Sequence, residues 1–247
     1  MLRVMPLALL TWAAFAQTFE VASVKPSAHP VGPDYNNQVT IGPSGFSGRN
    51  VTLKRLIMDA YGLQPHQVSG PKWLGDNEYD VEAKAYKPAS KEELRLMLRP
   101  LLAQRFHLMV HRETKDLLVY ELVVDKKGPK IQPVRDSENG AGKPGLRHFH
   151  GELQQLANLL SVQLTIPVMD DPGTPGMAGR APIPVLDKTG LPGLYDFDID
   201  LKLEAGGDMF VLWQRALQEQ LGLKLESRKE GVELLVVDGA ERIPTAN

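Results

Sequence analysis

Leu53, Leu56, Ile57 and Ala60 recur three and four residues apart, a single apolar stripe that predicts a helix near Thr52 to Tyr61. Leu153, Leu156, Ala157 and Leu160 repeat that stripe and predict a second helix near Glu152 to Ser161. In "SKEELRLMLRPLL", Ser90 and Glu93 form a capping box that opens a third helix over Lys91 to Gln104. Pro100 falls inside its apolar run, so a kink or a restart is expected there. A fourth helix is expected over Met209 to Gln220. Strict alternation marks strands in "NEYDVEAKA" (Asn77 to Ala85) and "GLYDFDIDL" (Gly193 to Leu201). "TFEVASVKPS" begins as a strand, with Phe19 and Val21 facing one way. "HLMVHRETKDLLVYELVVD" (His107 to Asp125) alternates around the polar stretch Glu113 to Asp116 and reads as a hairpin. "LKLESRKEGVELLVVD" (Leu223 to Asp238) is its counterpart.

These elements recur in order. Gly45, Leu53, Leu56 and Val68 fall on Gly145, Leu153, Leu156 and Val168, Tyr79-Asp80 on Tyr195-Asp196, and "LLAQRFHLMVHRE" on "ALQEQLGLKLESR". The expected fold is α+β, with two pseudo-repeated units, each of two helices packed on antiparallel strands. The first unit is expected over 17–134 and the second over 145–247. A polar linker rich in glycine and proline separates them at 135–144. "MDDPGTPGMAGRAPIP" lengthens the second copy, and an insertion loop is expected at 170–184.

Composition narrows the function classes. The chain has 247 residues, 43% hydrophobic and 23% charged, with a net charge of -2 and no run of like charges. No nucleic acid or anionic membrane surface is expected as a partner, because both call for a concentrated basic patch. The start, "MLRVMPLALLTWAAFAQ", has a basic residue, a short apolar run and Ala14-Phe15-Ala16, so residues 1–16 read as a signal peptide cleaved before Gln17. The run falls short of the roughly 20 residues of a spanning helix, and no stable membrane insertion is expected after cleavage. There is no cysteine, which rules out disulfides, a lipobox, cysteine zinc sites and thiol nucleophiles. A periplasmic or secreted location is expected.

The candidate chemistry is thin. Asp196, Asp198 and Asp200 share one face of a strand opposite Tyr195, Phe197 and Ile199, which is the alternation of a half-buried strand with a solvated face. Asp80, Glu82 and Lys84 hold that face in the first copy, and a lysine in the third place argues against a shared metal site. His107 and His111, four apart in an expected strand, and His148 and His150, two apart, have spacings at which imidazoles bind zinc. The other copy has Gly222 and Glu226 in place of the first pair and Gly48 and Asn50 in place of the second, so neither pair is repeated, and a catalytic zinc needs three converging ligands. "SGPK" (Ser69 to Lys72) matches a serine-lysine string of penicillin-recognising enzymes without its companion motifs. No phosphate cradle, dinucleotide fingerprint or nucleophile elbow occurs. Trp73 and Trp213 read as core or edge packing. No catalytic, cofactor-binding or metal residue is therefore assigned.

The series "FEVASVKPS", "NVTLKRLIMDAYGL", "WLGDNEYDVEAKA", "LRPLLAQRFHLMVHRETKDLLVYELVV", "DKTGLPGLYDFDIDL" and "ALQEQLGLKLESRKEGVELLVVD" closely resembles a large paralogous family of exported proteins from soil-associated bacteria, classed as a domain of unknown function. The resemblance spans about Phe19 to Pro244 and departs at Asp170 to Pro184. It implies export and, in some relatives, fusion to membrane metallopeptidases of the beta-lactam-receptor kind. It implies no catalytic residues. The first functional expectation is a non-catalytic module that binds a ligand or protein partner outside the cytoplasm. The second is a hydrolase whose groups meet only in the fold, with His107, His111, Asp196 and Asp198 as suspects. A sensory ectodomain-like module is the third.

Overall fold

Thr52 closes the start of helix α1 (Leu53–Tyr61) by accepting the Arg55 amide at 3.2 Å, and Gly62, at φ 66°, ends it in the left-handed region. The stripe Leu53, Leu56, Ile57 and Ala60 is buried. This helix belongs to a computed structural model that describes residues 18–28, 38–134, 140, 142–168, 179–202 and 208–245. The signal-peptide residues and the segment 170–178 lie outside the described residues. The fold is α+β.

The chain forms two compact units. The first takes the described parts of Met1–Leu63, Gly70–Val110 and Val237–Asn247. Its sheet comprises β1 (Val21–Pro26), β2 (Gln38–Gly42), β3 (Gly45–Thr52) and β5 (Glu78–Lys84), in the order β1-β5-β3-β2 and antiparallel throughout. The two-residue β4 (Val68–Ser69) lies in the other unit. Phe46, Val51, Tyr79 and Val81 form the buried side of the sheet. Helix α2 (Lys91–Phe106) opens on the expected capping box, with the Ser90 amide donating to Glu93 at 2.7 Å and the Glu93 amide to Ser90 Oγ at 3.2 Å. It runs through Pro100 without a restart and buries Leu94, Met97, Leu98, Leu101, Leu102 and Phe106. Phe106 meets Tyr79 edge-on at 4.9 Å. The C-terminal segment returns here: the Tyr79 hydroxyl donates to the Arg242 carbonyl at 2.7 Å, and the Thr245 amide to the Arg105 carbonyl at 2.8 Å.

The second unit takes Gln64–Ser69 and the described parts of His111–Val236. One sheet comprises β6 (Met109–Val124), β11 (Val185–Asp187), β13 (Leu223–Gly239) and β4, in the order β11-β6-β13-β4. The other comprises β7 (Pro133–Val134), β8 (Arg147–Gly151) and β12 (Leu194–Ile199), in the order β7-β12-β8. Helices α3 (Leu153–Gln163) and α4 (Met209–Ala216), the latter running on into a π turn at Leu217–Leu221, bury Leu153, Leu156, Leu160, Trp213 and Leu217 with Tyr195 and Ile199 of β12.

Three expectations are corrected. The two hairpins are single long strands, β6 and β13, which neighbour each other. Glu113 to Asp116 contains no glycine, proline or asparagine to turn the chain, and Arg112 pairs with Glu233, so the charged stretch stays extended. These long strands also explain why the units do not follow a boundary at 135–144: residues 111–134 join the second unit and 237–245 the first. The insertion is not all loop. Within it Gly179–Pro182 forms β10, paired with β9 (Thr165–Val168), and Ile183 enters the core.

The pairing at the two tyrosines is alike, whereas β3 carries a bulge between Gly48 and Val51 that β8 lacks. Tyr79 lies opposite Val51 and Pro26, and Tyr195 opposite Gly151 and Pro133. His107 (φ 48°) and Gly222 (φ 68°) end the second helical segment of each in the left-handed region.

Candidate functional site

The alternation of β12 puts Tyr195, Phe197 and Ile199 against the core and turns Asp196 and Asp198 to the outer face of the sheet. Its neighbour β8 alternates likewise, with Phe149 inward and His148 and His150 outward. The antiparallel register places Asp196 opposite His150 and Asp198 opposite His148. The aspartates thus meet partners and are not a freely solvated face: the side chains of Asp196 and Asp198 are 17% and 13% exposed.

The pairing is direct. His148 Nδ1 lies 3.0 Å from Asp198 Oδ1, and His150 Nδ1 lies 3.0 Å from Asp196 Oδ2. The second nitrogen of His148, Nε2, is 3.9 Å from Asp196 and is buried without a hydrogen-bond partner among the described residues. Each carboxylate also accepts a backbone amide from the expected linker: Gly140 N–H reaches Asp196 Oδ2 at 3.0 Å and Lys143 N–H reaches Asp198 Oδ1 at 3.4 Å. The described linker residues Gly140, Gly142 and Lys143 are therefore a strap against the outer face. The Gly140 amide first, and the His150 ring second, hold the Asp196 carboxyl below its usual range. That stabilisation is present above the ordinary carboxylate pKa and is lost as pH falls through the lowered one.

An imidazole oriented by a carboxylate is an acid-base unit. Here both carboxylates are committed to the strap as well, and the strap lies close enough that a Cβ on Gly142 would stand 2.6 Å from His148 Cβ. Among the described residues, no group of three or more His, Cys, Asp or Glu side chains is arranged to hold a metal ion.

The suspects of the sequence are distributed differently. His107 is not in a strand; it caps α2 and pairs with Glu241 at 3.2 Å. His111 lies exposed near the start of β6. Asp200 lies just past β12, where its carboxylate accepts the Lys202 amide at 2.9 Å and turns the chain. Ser69 ends β4 and Lys72 opens a short 3-10 turn at Lys72–Gly75. Trp213 is fully buried. The partners missed for Asp196 and Asp198 were His148 and His150. The available signal was the matched spacing, His-x-His on one strand and Asp-x-Asp on another, which an antiparallel pair brings face to face.

Among the described residues, the outer face of the first unit's sheet is open. There the register aligns Ser23, Glu82, Ser47 and Thr40 in one row and Val21, Lys84, Gly45 and Gly42 in the next. Ser47 Oγ donates to Glu82 at 2.8 Å, and the glycines leave a shallow, mostly apolar hollow of about 540 Å³. Glu82, three residues past Tyr79, pairs with Ser47 as Asp198, three past Tyr195, pairs with His148; the bulge in β3 puts Ser47 there in place of the Gly48 expected from the sequence. Asp80, in the place of Asp196, accepts the Asn50 amide at 3.0 Å from a bulge in β3.

Fold and site together define an α+β protein whose outer sheet faces carry carboxylates, one held to Gly140 and Lys143 and the other open among the described residues. The chain belongs to the family described as "Protein of unknown function (DUF3738)", which matches residues 54–240. No curated protein and no solved structure matches it. Among the described residues no helix is long and apolar enough to cross a membrane.

Proposed function

We propose that this chain is an exported, non-catalytic module that binds a partner outside the cytoplasm on the open outer face of its first unit. The observation that carries this is the hollow of about 540 Å³ over β1, β5, β3 and β2, a size common to ligand sites, with hydroxyl and charged groups set among apolar surface. Export is supported by the leader-like first residues. The like pairing at Tyr79 and Tyr195 supports a second element of the proposal: the two units are copies of one α+β unit whose outer faces have diverged.

Gly42 offers a way to close the hollow, because a Cβ there meets nothing within 4 Å. Protein from the extracytoplasmic fraction, with an intact mass expected to begin at Gln17, is immobilised as wild type and as Gly42→Trp. The expected result is equal melting temperatures and a wild-type set of retained extracytoplasmic molecules that the variant lacks. Identical retained sets would overturn the assignment.

A hydrolase is the second reading, favoured by the two His–Asp pairs. Its first suspects, His107 and His111, are displaced by His148 and His150. The strap over His148 weighs toward a holding role for these pairs.

A further inference from the structure

The chemistry of the partner is written in the second unit. There the outer face already has an occupant, the backbone at Gly140 and Lys143, whose amides donate to Asp196 and Asp198 at 3.0 and 3.4 Å. The approach is closest at Gly142, where a Cβ would stand 2.6 Å from His148 Cβ, and tight at Gly140, where one would stand 3.2 Å from Asp196 Oδ1. What this face binds is therefore backbone. A carboxylate accepting an amide makes a charge-assisted bond that is blind to side-chain identity.

We propose that the open face of the first unit binds an extended, glycine-containing peptide segment through its backbone N–H groups, as the second unit binds its own strap. The proposal rests on the assignment of that face as the binding surface. Glu82 is the counterpart of Asp198; it is exposed, its Oε1 is steadied by Ser47, and it stands in a row with Ser23 and Thr40. Gly42, where a Cβ would meet nothing within 4 Å, keeps its end of the neighbouring row low enough for a backbone to approach.

The test is a titration of the isotope-labelled mature chain with a capped octapeptide of the strap sequence ENGAGKPG, followed by amide chemical shifts. Shifts are expected at Ser23, Thr40, Ser47 and Glu82. Glu82→Lys is expected to weaken binding about tenfold, the scale of one charge-assisted bond. Methylating the peptide's backbone nitrogens is expected to abolish it. No shifts at millimolar peptide, or equal binding of the methylated peptide, would overturn the peptide proposal. If Gly42→Trp still loses retained molecules in that case, the binding surface stands with a non-peptide partner. Shifts that grow with protein concentration alone would instead make a second copy the occupant and overturn the proposal.

Discussion

Replacing Trp213 by alanine is expected to remove about 3–5 kcal/mol of stability, measured as a fall in the urea midpoint at unchanged slope. Trp213 is 0% exposed in the core of the second unit, where it packs with residues of α3, β12 and the π turn. Its indole N–H donates to Gln163 at 2.9 Å, and the Arg147 guanidinium lies over the ring at 5.9 Å. Truncation therefore opens a large cavity and also strands a polar partner. A loss below about 1 kcal/mol would mean that α4 is not docked as described.

Gly222→Ala is expected to rank next, at about 3 kcal/mol or more. Gly222 has φ 68°, and a Cβ there would lie 2.3 Å from the Gly128 carbonyl oxygen and 2.9 Å from the Lys130 nitrogen. Both obstacles are backbone, tied in place by Asp125 N–H to the Gly222 carbonyl at 2.9 Å and Lys130 N–H to the Leu221 carbonyl at 2.9 Å. Gly128→Ala is the control. It too has positive φ, at 83°, but a Cβ there meets nothing within 4 Å, so only strain of about 1 kcal/mol is expected. Equal losses in the two variants, read from the same unfolding curves, would show that the close approach at Gly222 is absent.

Local rules made much of the fold legible. The stripes of α1 and α3, the Ser90–Glu93 box and the Tyr-Asp strands follow from spacing and capping alone, because each is decided within a few residues. The long strands β6 and β13 were not legible. The polarity of Glu113 to Asp116 suggests a turn, and only the partner strand, through Glu233, shows why it is extended. The His–Asp pairs fail for a related reason. Alternation tells which face Asp196 and Asp198 occupy, but whether that face meets water or imidazoles depends on which strand lies beside it. His107 illustrates the opposite error: its spacing from His111 suggested a shared strand face, whereas its left-handed backbone makes it the end of a helix. The strap was hidden altogether, since a stretch rich in glycine and proline has the composition of a free linker even where its amides are held by carboxylates.

In the second unit, carboxylates of the outer sheet face hold backbone amides of the strap. Amide hydrogen exchange at Gly140 and Lys143 addresses this claim without knowledge of any partner. In the wild-type chain both amides are expected to exchange more slowly than in a free peptide. Asp196→Ala should release Gly140, and Asp198→Ala should release Lys143, while the Leu160 amide inside α3 keeps its protection. Wild-type exchange at free-peptide rates at both positions would contradict the claim.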